Sequence, residues 1–313
     1  MSTLQANGLT LGYDCFGAER NEAMLLISGL GVQRLRWTEP FCERLAAQGF
    51  YVIRFDNRDA GESTHLSRAP APDVGVLAAD LAAGRVPVVP YTLHDLAADA
   101  IALLDVLGIT YAHVVGRSMG GMVAQLLASA HAERVLSLVS IMSSTGHPGL
   151  PATAPDVMAM LMHAAPDPRV DEAAFLAHGM AFARRIAGKG FPLNEAAHRA
   201  VLQAELMHPL DPGCMGRQIA AIAATGSLRP VLARVVAPTL VVHGSDDPMI
   251  PPDCGRDVAE HIAGAELLLV DGMGHDVPAA LYDPLIRAIT ANARRTLVDV
   301  ADGSCDEHCA GAI

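Results

Sequence analysis

Lysine is almost missing from this chain. Lys189 is the only one among 313 residues, so nearly all basic charge sits on arginine. A lysine Schiff base is therefore disfavoured, and there is no Gly-x-x-x-x-Gly-Lys loop to cradle a nucleotide phosphate. Positive charge is also scarce overall: the formal net charge is −12. That balance argues against nucleic acid or an anionic membrane surface as a partner. The N-terminus has neither a basic start nor a long apolar run, so no secretory signal is expected. No apolar stretch is long enough to span a bilayer. The six cysteines (Cys15, Cys42, Cys214, Cys254, Cys305 and Cys309) are scattered, which suits reduced thiols and a cytoplasmic location. Cys305-x-x-His308-Cys309 offers too few ligands for a metal site, and residues 301–313 are expected to form a disordered tail.

Against that background one stretch stands out. Val114-Val115-Gly116-Arg117-Ser118-Met119-Gly120-Gly121-Met122 combines an apolar run, Gly-x-Ser-x-Gly and a helical pattern. This is the signature of a nucleophile elbow, where a strand ends, the chain turns sharply and a helix begins. Gly116 and Gly120 suit a place where helix and strand backbones approach closely. The helix start also offers free N–H groups and the positive end of a dipole.

The remainder alternates strands and helices. Strands are expected at Leu9–Tyr13, Met24–Ser28, Tyr51–Phe55, Ala112–Val115, Val135–Ile141, Thr239–His243 and Glu266–Val270. Helices are expected near Glu39–Gln48, Leu93–Leu107 behind an N-cap at Thr92, Met119–Ala130, Asp253–Ala263 and Ala279–Leu297. The Pro- and Gly-rich connection from Thr64 to Pro90 carries a weak helical segment near Leu77–Ala83. Arg58 and Asp59, in the polar turn after the third strand, are expected to pair. This grammar predicts an α/β domain around a largely parallel sheet, with ligand sites at the strand C-terminal ends.

Residues 143–225 break the pattern, with no convincing strand and many Ala, Met and His residues. They read as a helical cap inserted into a core made of residues 1–142 and 226–300. Methionine suits irregular apolar surfaces. His163, His178, His198 and His208 lack metal-ligand spacing and are assigned to the cap surface or its packing.

Ser118, Asp247 and His275 each follow a predicted strand, in the order Ser…Asp…His. A serine hydroxyl needs an imidazole to take its proton. The imidazole needs a carboxylate to set its tautomer and stabilise its charged form. Asp247 is preferred as the acid because Pro248 biases it to an extended backbone. Asp246 is then a loop-capping residue, and Asp271 a more distant candidate. For the oxyanion, the Met119 N–H is the first expected donor, and Leu30 in the Ser28-Gly29-Leu30-Gly31 turn the second.

These residues, together with Asp56-x-Arg58-x-x-Gly61-x-Ser63, resemble the α/β-hydrolase fold family. Gly29-Leu-Gly-Val-Gln33…Trp37, followed by Arg54-Phe-Asp-Asn-Arg-Asp59, is similar to its branch of bacterial carboxylesterases and aclacinomycin methylesterase-like enzymes. The resemblance implies a mostly parallel eight-stranded sheet, a helical cap over the acyl or alcohol pocket, and hydrolysis of small-molecule carboxylic esters without cofactor or metal. C–C bond hydrolysis and acyl transfer on the same three residues remain as alternatives, and a non-catalytic ligand-binding protein is a further one. Dehalogenase and epoxide-hydrolase chemistry is disfavoured, since those relatives need aspartate in place of Ser118. A homodimer is left open.

Overall fold

The computed structural model describes residues 2–301, with side chains described as far as residue 295. The Cys305–Cys309 stretch and the expected disordered tail lie outside the described residues. Eight strands form one sheet: β1 (Ser2–Ala6), β2 (Leu9–Phe16), β3 (Glu22–Ile27), β4 (Phe50–Phe55), β5 (Ala112–Arg117), β6 (Val135–Ile141), β7 (Thr239–Gly244) and β8 (Glu266–Val270). Their order is β1-β2-β4-β3-β5-β6-β7-β8. The pairings β1–β2 and β2–β4 are antiparallel and the rest are parallel. The crossover helices cover both faces, so β3, β4 and β5 read as near-continuous apolar runs.

The first strand was not expected. Ser2–Ala6 is mostly exposed and forms the sheet's outer edge, so neither an apolar run nor a buried face marks it. What defines it is a tight turn: Asn7 and Gly8 both have positive φ and fold it back onto β2.

Helices α1 (Glu39–Ala46), α2 (Val74–Ala82), α3 (Leu93–Val106) and α4 (Met119–Ala130) lie in the first half of the chain. Side-chain caps set several of the starts. The Thr92 N–H donates to Asp95 Oδ2 at 2.8 Å at the head of α3, and Asp73 accepts from the Val76 N–H at 2.9 Å at the head of α2. Helix α4 is buried along all but its last residue, because it lies between the sheet and α3.

Residues 143–225, between β6 and β7, hold α5 (Pro155–Met162), α6 (Glu172–Ile186), α7 (Glu195–Glu205) and α8 (Cys214–Thr225). Asp171 and Asn194 cap α6 and α7 by accepting from Ala174 and Ala197 N–H groups. Leu176 and Met180 on α6 and Leu202 on α7 make a small apolar cluster of their own. Helix α8 packs on α2 and α3, and α7 on the short helix Arg34–Arg36. The chain closes with α9 (Arg229–Leu232), α10 (Pro252–His261) and α11 (Tyr282–Ala301). No helix among the described residues is long and apolar enough to cross a membrane.

The expected Arg58–Asp59 pair does not form. Arg58 turns to Asp99 on α3, with Nε–Oδ2 at 2.6 Å, while Asp59 receives Arg217 from α8 at 2.8 Å on both oxygens. The two residues lie in a tight turn where Asp59 adopts a positive φ of 70°, and each finds its partner on a different helix.

Candidate active site

The elbow is built by close approach. A Cβ on Gly116 would sit 2.1 Å from Gly120 O, and one on Gly120 would sit 2.3 Å from Ile27 O. Glycine at both positions therefore lets α4 start directly against β5 and β3. The cost is concentrated at Ser118, whose φ of 54° and ψ of −126° lie where residues other than glycine are rare. Such a conformation costs roughly 1–3 kcal/mol and persists only where the surroundings hold it. Here Ser118 N–H donates to Ile141 O at 2.9 Å and Ser143 Oγ–H donates to Ser118 O at 2.8 Å. The hydroxyl is thereby raised above the sheet edge.

His275 approaches from the loop after β8. Its Nε2 lies 3.0 Å from Ser118 Oγ, and its Nδ1 lies 2.6 Å from Asp247 Oδ2. A carboxylate only accepts, so the proton is on Nδ1 and Nε2 is left to accept from the serine. The other oxygen of Asp247 accepts from the Met249 and Ile250 N–H groups, both at 2.9 Å. The carboxylate is fully buried and oriented from both ends. The structure thus brings together the three side chains named from the sequence.

The alternatives for the acid are placed elsewhere. Among the described residues Asp246 makes no hydrogen bond or ion pair with His275; its Oδ2 accepts from the Lys189 N–H at 3.1 Å. Asp271 receives the Ser245 hydroxyl at 3.2 Å, out toward solvent. Gly29 lies beside the nucleophile, with its missing Cβ position 3.2 Å from Ser118 Cβ. The turn that carries Leu30 and the helix start that carries Met119 therefore flank the same oxygen.

Three neighbours were not foreseen. His243, at the end of β7, is wholly buried; its Nε2–H donates to Ile250 O at 2.8 Å and lies 3.6 Å from Asp247 Oδ2. Burial keeps its basicity below the ordinary histidine value, with hydrogen bonding and Asp247 acting the other way, so it remains neutral beside the carboxylate. Its place just before Gly-Ser-Asp-Asp was the only signal. Gln218 of α8 accepts the Gly31 N–H at 2.7 Å and donates to Arg58 O at 3.2 Å, pinning the turn that carries Leu30. The segment after α6 docks on the histidine loop: His275 N–H donates to Ile186 O at 2.8 Å and Gly190 N–H to Gly272 O at 2.9 Å. A Cβ on Gly188 would meet Gly272 O at 2.1 Å, so backbone lies directly on backbone there. No periodicity in the sequence announces contacts of this kind.

One cluster has the spacing of a metal site but not its free ligands. Asp59, His65 and Asp211 converge. Both Asp59 oxygens are held by Arg217, with Tyr91 and the Leu66 N–H as further donors, and Asp211 is held by Arg217 and Ser67. A guanidinium already occupies the place a cation would take.

The alpha/beta hydrolase fold family matches residues 22–278. Rhodomycin D methylesterase DauP from Streptomyces sp. strain C5 is 30% identical over 93% of this chain and 97% of its own. 3-Oxoadipate enol-lactonase 2 from Acinetobacter baylyi is 27% identical over 86% of this chain and 88% of its own. Among solved structures, the enol-lactonase from Burkholderia xenovorans LB400 superposes with a TM-score of 0.69 at 24% identity, covering 95% of this chain and all of that one; at that identity the likeness concerns the fold.

Proposed function

This chain belongs to the alpha/beta hydrolase fold family, and from that premise we propose that it is a serine hydrolase of carboxylic esters, acting through an acyl-enzyme. The observation that carries the proposal is the continuous hydrogen-bonded line Ser118–His275–Asp247. Ser118 Oγ attacks the ester carbonyl while His275 Nε2 takes its proton. The tetrahedral oxyanion is held by the Met119 and Leu30 N–H groups. His275 then gives the proton to the departing alkoxide, which leaves as the alcohol. Water repeats the cycle: His275 takes its proton, its oxygen attacks the acyl-serine, and the acid leaves as Ser118 regains a proton. Water is the only co-reactant the balance requires.

Asp247 keeps the imidazole in the Nδ1–H tautomer and stabilises its charged form. Each oxyanion donor contributes on the order of 2.7–4 kcal/mol, judged by what losing one usually costs. Residues 1–142 and 226–300 act as the core that carries this chemistry. Residues 143–225 act as a cap that shapes the acyl or alkoxy pocket. The methylesterase and lactonase activities of the relatives support an ester or lactone carbonyl as the reacting group.

The test is Ser118→Ala assayed on methyl esters and on p-nitrophenyl acetate. Turnover is expected to fall roughly a millionfold, as when the nucleophile of such a set is removed. Turnover within tenfold of the wild type would refute the assignment.

A further inference from the structure

Arginine is this protein's principal cation, and its arginines follow one rule with one exception. Among the described residues, the arginines that are at least partly buried have a carboxylate within salt-bridge distance: Arg34, Arg36, Arg54, Arg58, Arg134, Arg185, Arg217, Arg229 and Arg295. Arg117 is also part-buried and has none. Among the described residues, its side chain makes one hydrogen bond, from NH1 to Arg36 O at 3.2 Å.

The position of this exception matters. Arg117 is the last residue of β5 and the immediate neighbour of Ser118. Consecutive Cα atoms are about 3.8 Å apart, and the guanidinium also feels Asp276, the residue after His275, so it lies near both loops that carry the site. Its guanidinium lies 5.4 Å over the Trp37 ring. The nearby carboxylates are spoken for or set back. Glu205 grips Arg36 through both oxygens at 2.7 and 2.8 Å. Asp276, which follows His275, interacts with Arg117 electrostatically but makes no salt bridge with it. His198 adds no charge: burial, and then Arg36, push its basicity down to about 4. Burial likewise holds Arg117 down to about 10, Asp276 opposing and Arg36 reinforcing, so it remains a cation at neutral pH.

A part-buried guanidinium with most of its donors unused, poised over an aromatic ring, is shaped for a planar bidentate anion. Resting on the esterase reading above, we propose that Arg117 is a substrate-recognition residue, and that the preferred substrates are esters bearing a carboxylate a short methylene chain away from the scissile carbonyl. A carboxylate there completes the pairing that every other buried arginine already has. It also anchors the ester beside Ser118, where fixing the reacting carbonyl in place raises the rate.

The experiment compares two substrates of matched chain length, monomethyl adipate and methyl hexanoate, by methanol release. The wild type is expected to favour monomethyl adipate in kcat/KM by roughly ten- to a hundredfold, the range for a charge-assisted bidentate contact. Adipate is expected to inhibit methyl hexanoate hydrolysis competitively, less so as salt is raised. Arg117→Gln is expected to bring the ratio close to one, and Arg117→Lys to retain part of it. If Arg117→Gln fails to fold, the wild-type ratio and adipate inhibition decide alone. A wild-type ratio at or below one, with both esters hydrolysed, overturns the proposal and leaves the esterase reading standing. Full preference in Arg117→Gln overturns it too. Failure to hydrolyse either ester, with Ser118 inert to a fluorophosphonate, overturns both.

Discussion

The strand-end loops and the inserted helices contribute to the same site in opposite ways. Ser118, Asp247 and His275 lie on short turns whose geometry is dictated by the sheet beneath them, and they carry side-chain chemistry. The helices of residues 143–225 add Gln218 to the turn that holds Leu30, and the Ile186 carbonyl and Gly188–Gly190 backbone to the histidine loop. Under the proposed reaction the sheet supplies the reactive groups, while the insertion holds two of their loops in place. The difference means that, under that reaction, the inserted element would tune catalysis without donating a reacting atom. It also means that a shift of the insertion is felt at both the oxyanion turn and the histidine.

After the nucleophile itself, the largest loss is expected at the carboxylate. Asp247→Asn replaces the acceptor that sets the His275 tautomer, and kcat is expected to fall by about ten-thousandfold, the scale seen when such a carboxylate is amidated. A loss below tenfold would remove the strand-end loops from the chemistry. Next comes the docking of the insertion. Gly188→Ala forces a Cβ against Gly272 O and Gly274 N. Displacement of the histidine loop by about 1 Å is expected to lower kcat roughly a hundredfold. Unchanged kcat in a protein that melts normally would show that this contact does not position His275.

Gln218→Leu sharpens the contrast further. It leaves the Gly31 N–H and Arg58 O without partners inside the fold, a cost of about 1–3 kcal/mol for each group. Because Gln218 touches the oxyanion turn and not the nucleophile, kcat is expected to drop ten- to a hundredfold, with KM within about threefold. A purely structural role would instead lower the melting temperature and leave kcat of the folded fraction intact.

The smallest effect concerns acid. Burial works to raise Asp14, Asp211 and Asp257, but Arg34 and Arg54 at Asp14, the Ser67 hydroxyl, the Gly213 N–H and Arg217 at Asp211, and Arg229 and Thr145 at Asp257 hold all three below the ordinary carboxylate value. Carboxylates with lowered folded-state pKa add stability that is complete above their unfolded value of about 3.9 and is lost as pH falls through the lowered one. His113, His198 and His243 stay neutral in the fold while their unfolded counterparts protonate below about 6.5, so the melting temperature is expected to begin falling below about pH 6.5 and to drop further below about pH 4 as the carboxylates protonate. Replacing Asp211 by Asn should flatten part of that drop. An unaltered acid profile in that variant would show that the hydrogen-bonded Asp211 carboxylate does not report on folding.

Much of this was legible along the chain, and the reasons are physical. Buried parallel strands announce themselves as apolar runs, and the elbow announces itself because close backbone approach admits only glycine at positions 116 and 120. Asp247 was separable from Asp246 because Pro248 restricts the residue before it. What stayed hidden has no local signature. The edge strand Ser2–Ala6 is polar and exposed, so no period marks it. Arg58 and Asp59 are adjacent in sequence yet bind Asp99 and Arg217, partners 41 and 158 residues away. Gln218 and Ile186 act through contacts that exist only once the insertion has folded onto the core. The hydrophobic pattern states which faces are buried, but not which buried face meets which.

The most direct test of the central claim is peptide mapping of the wild-type protein after reaction with a fluorophosphonate, beside His275→Ala treated alike. The account expects one phosphonyl group per chain, located on Ser118, and labelling slowed by several orders of magnitude when the imidazole is absent. Labelling of another residue, or of Ser118 at the same rate without His275, would contradict it.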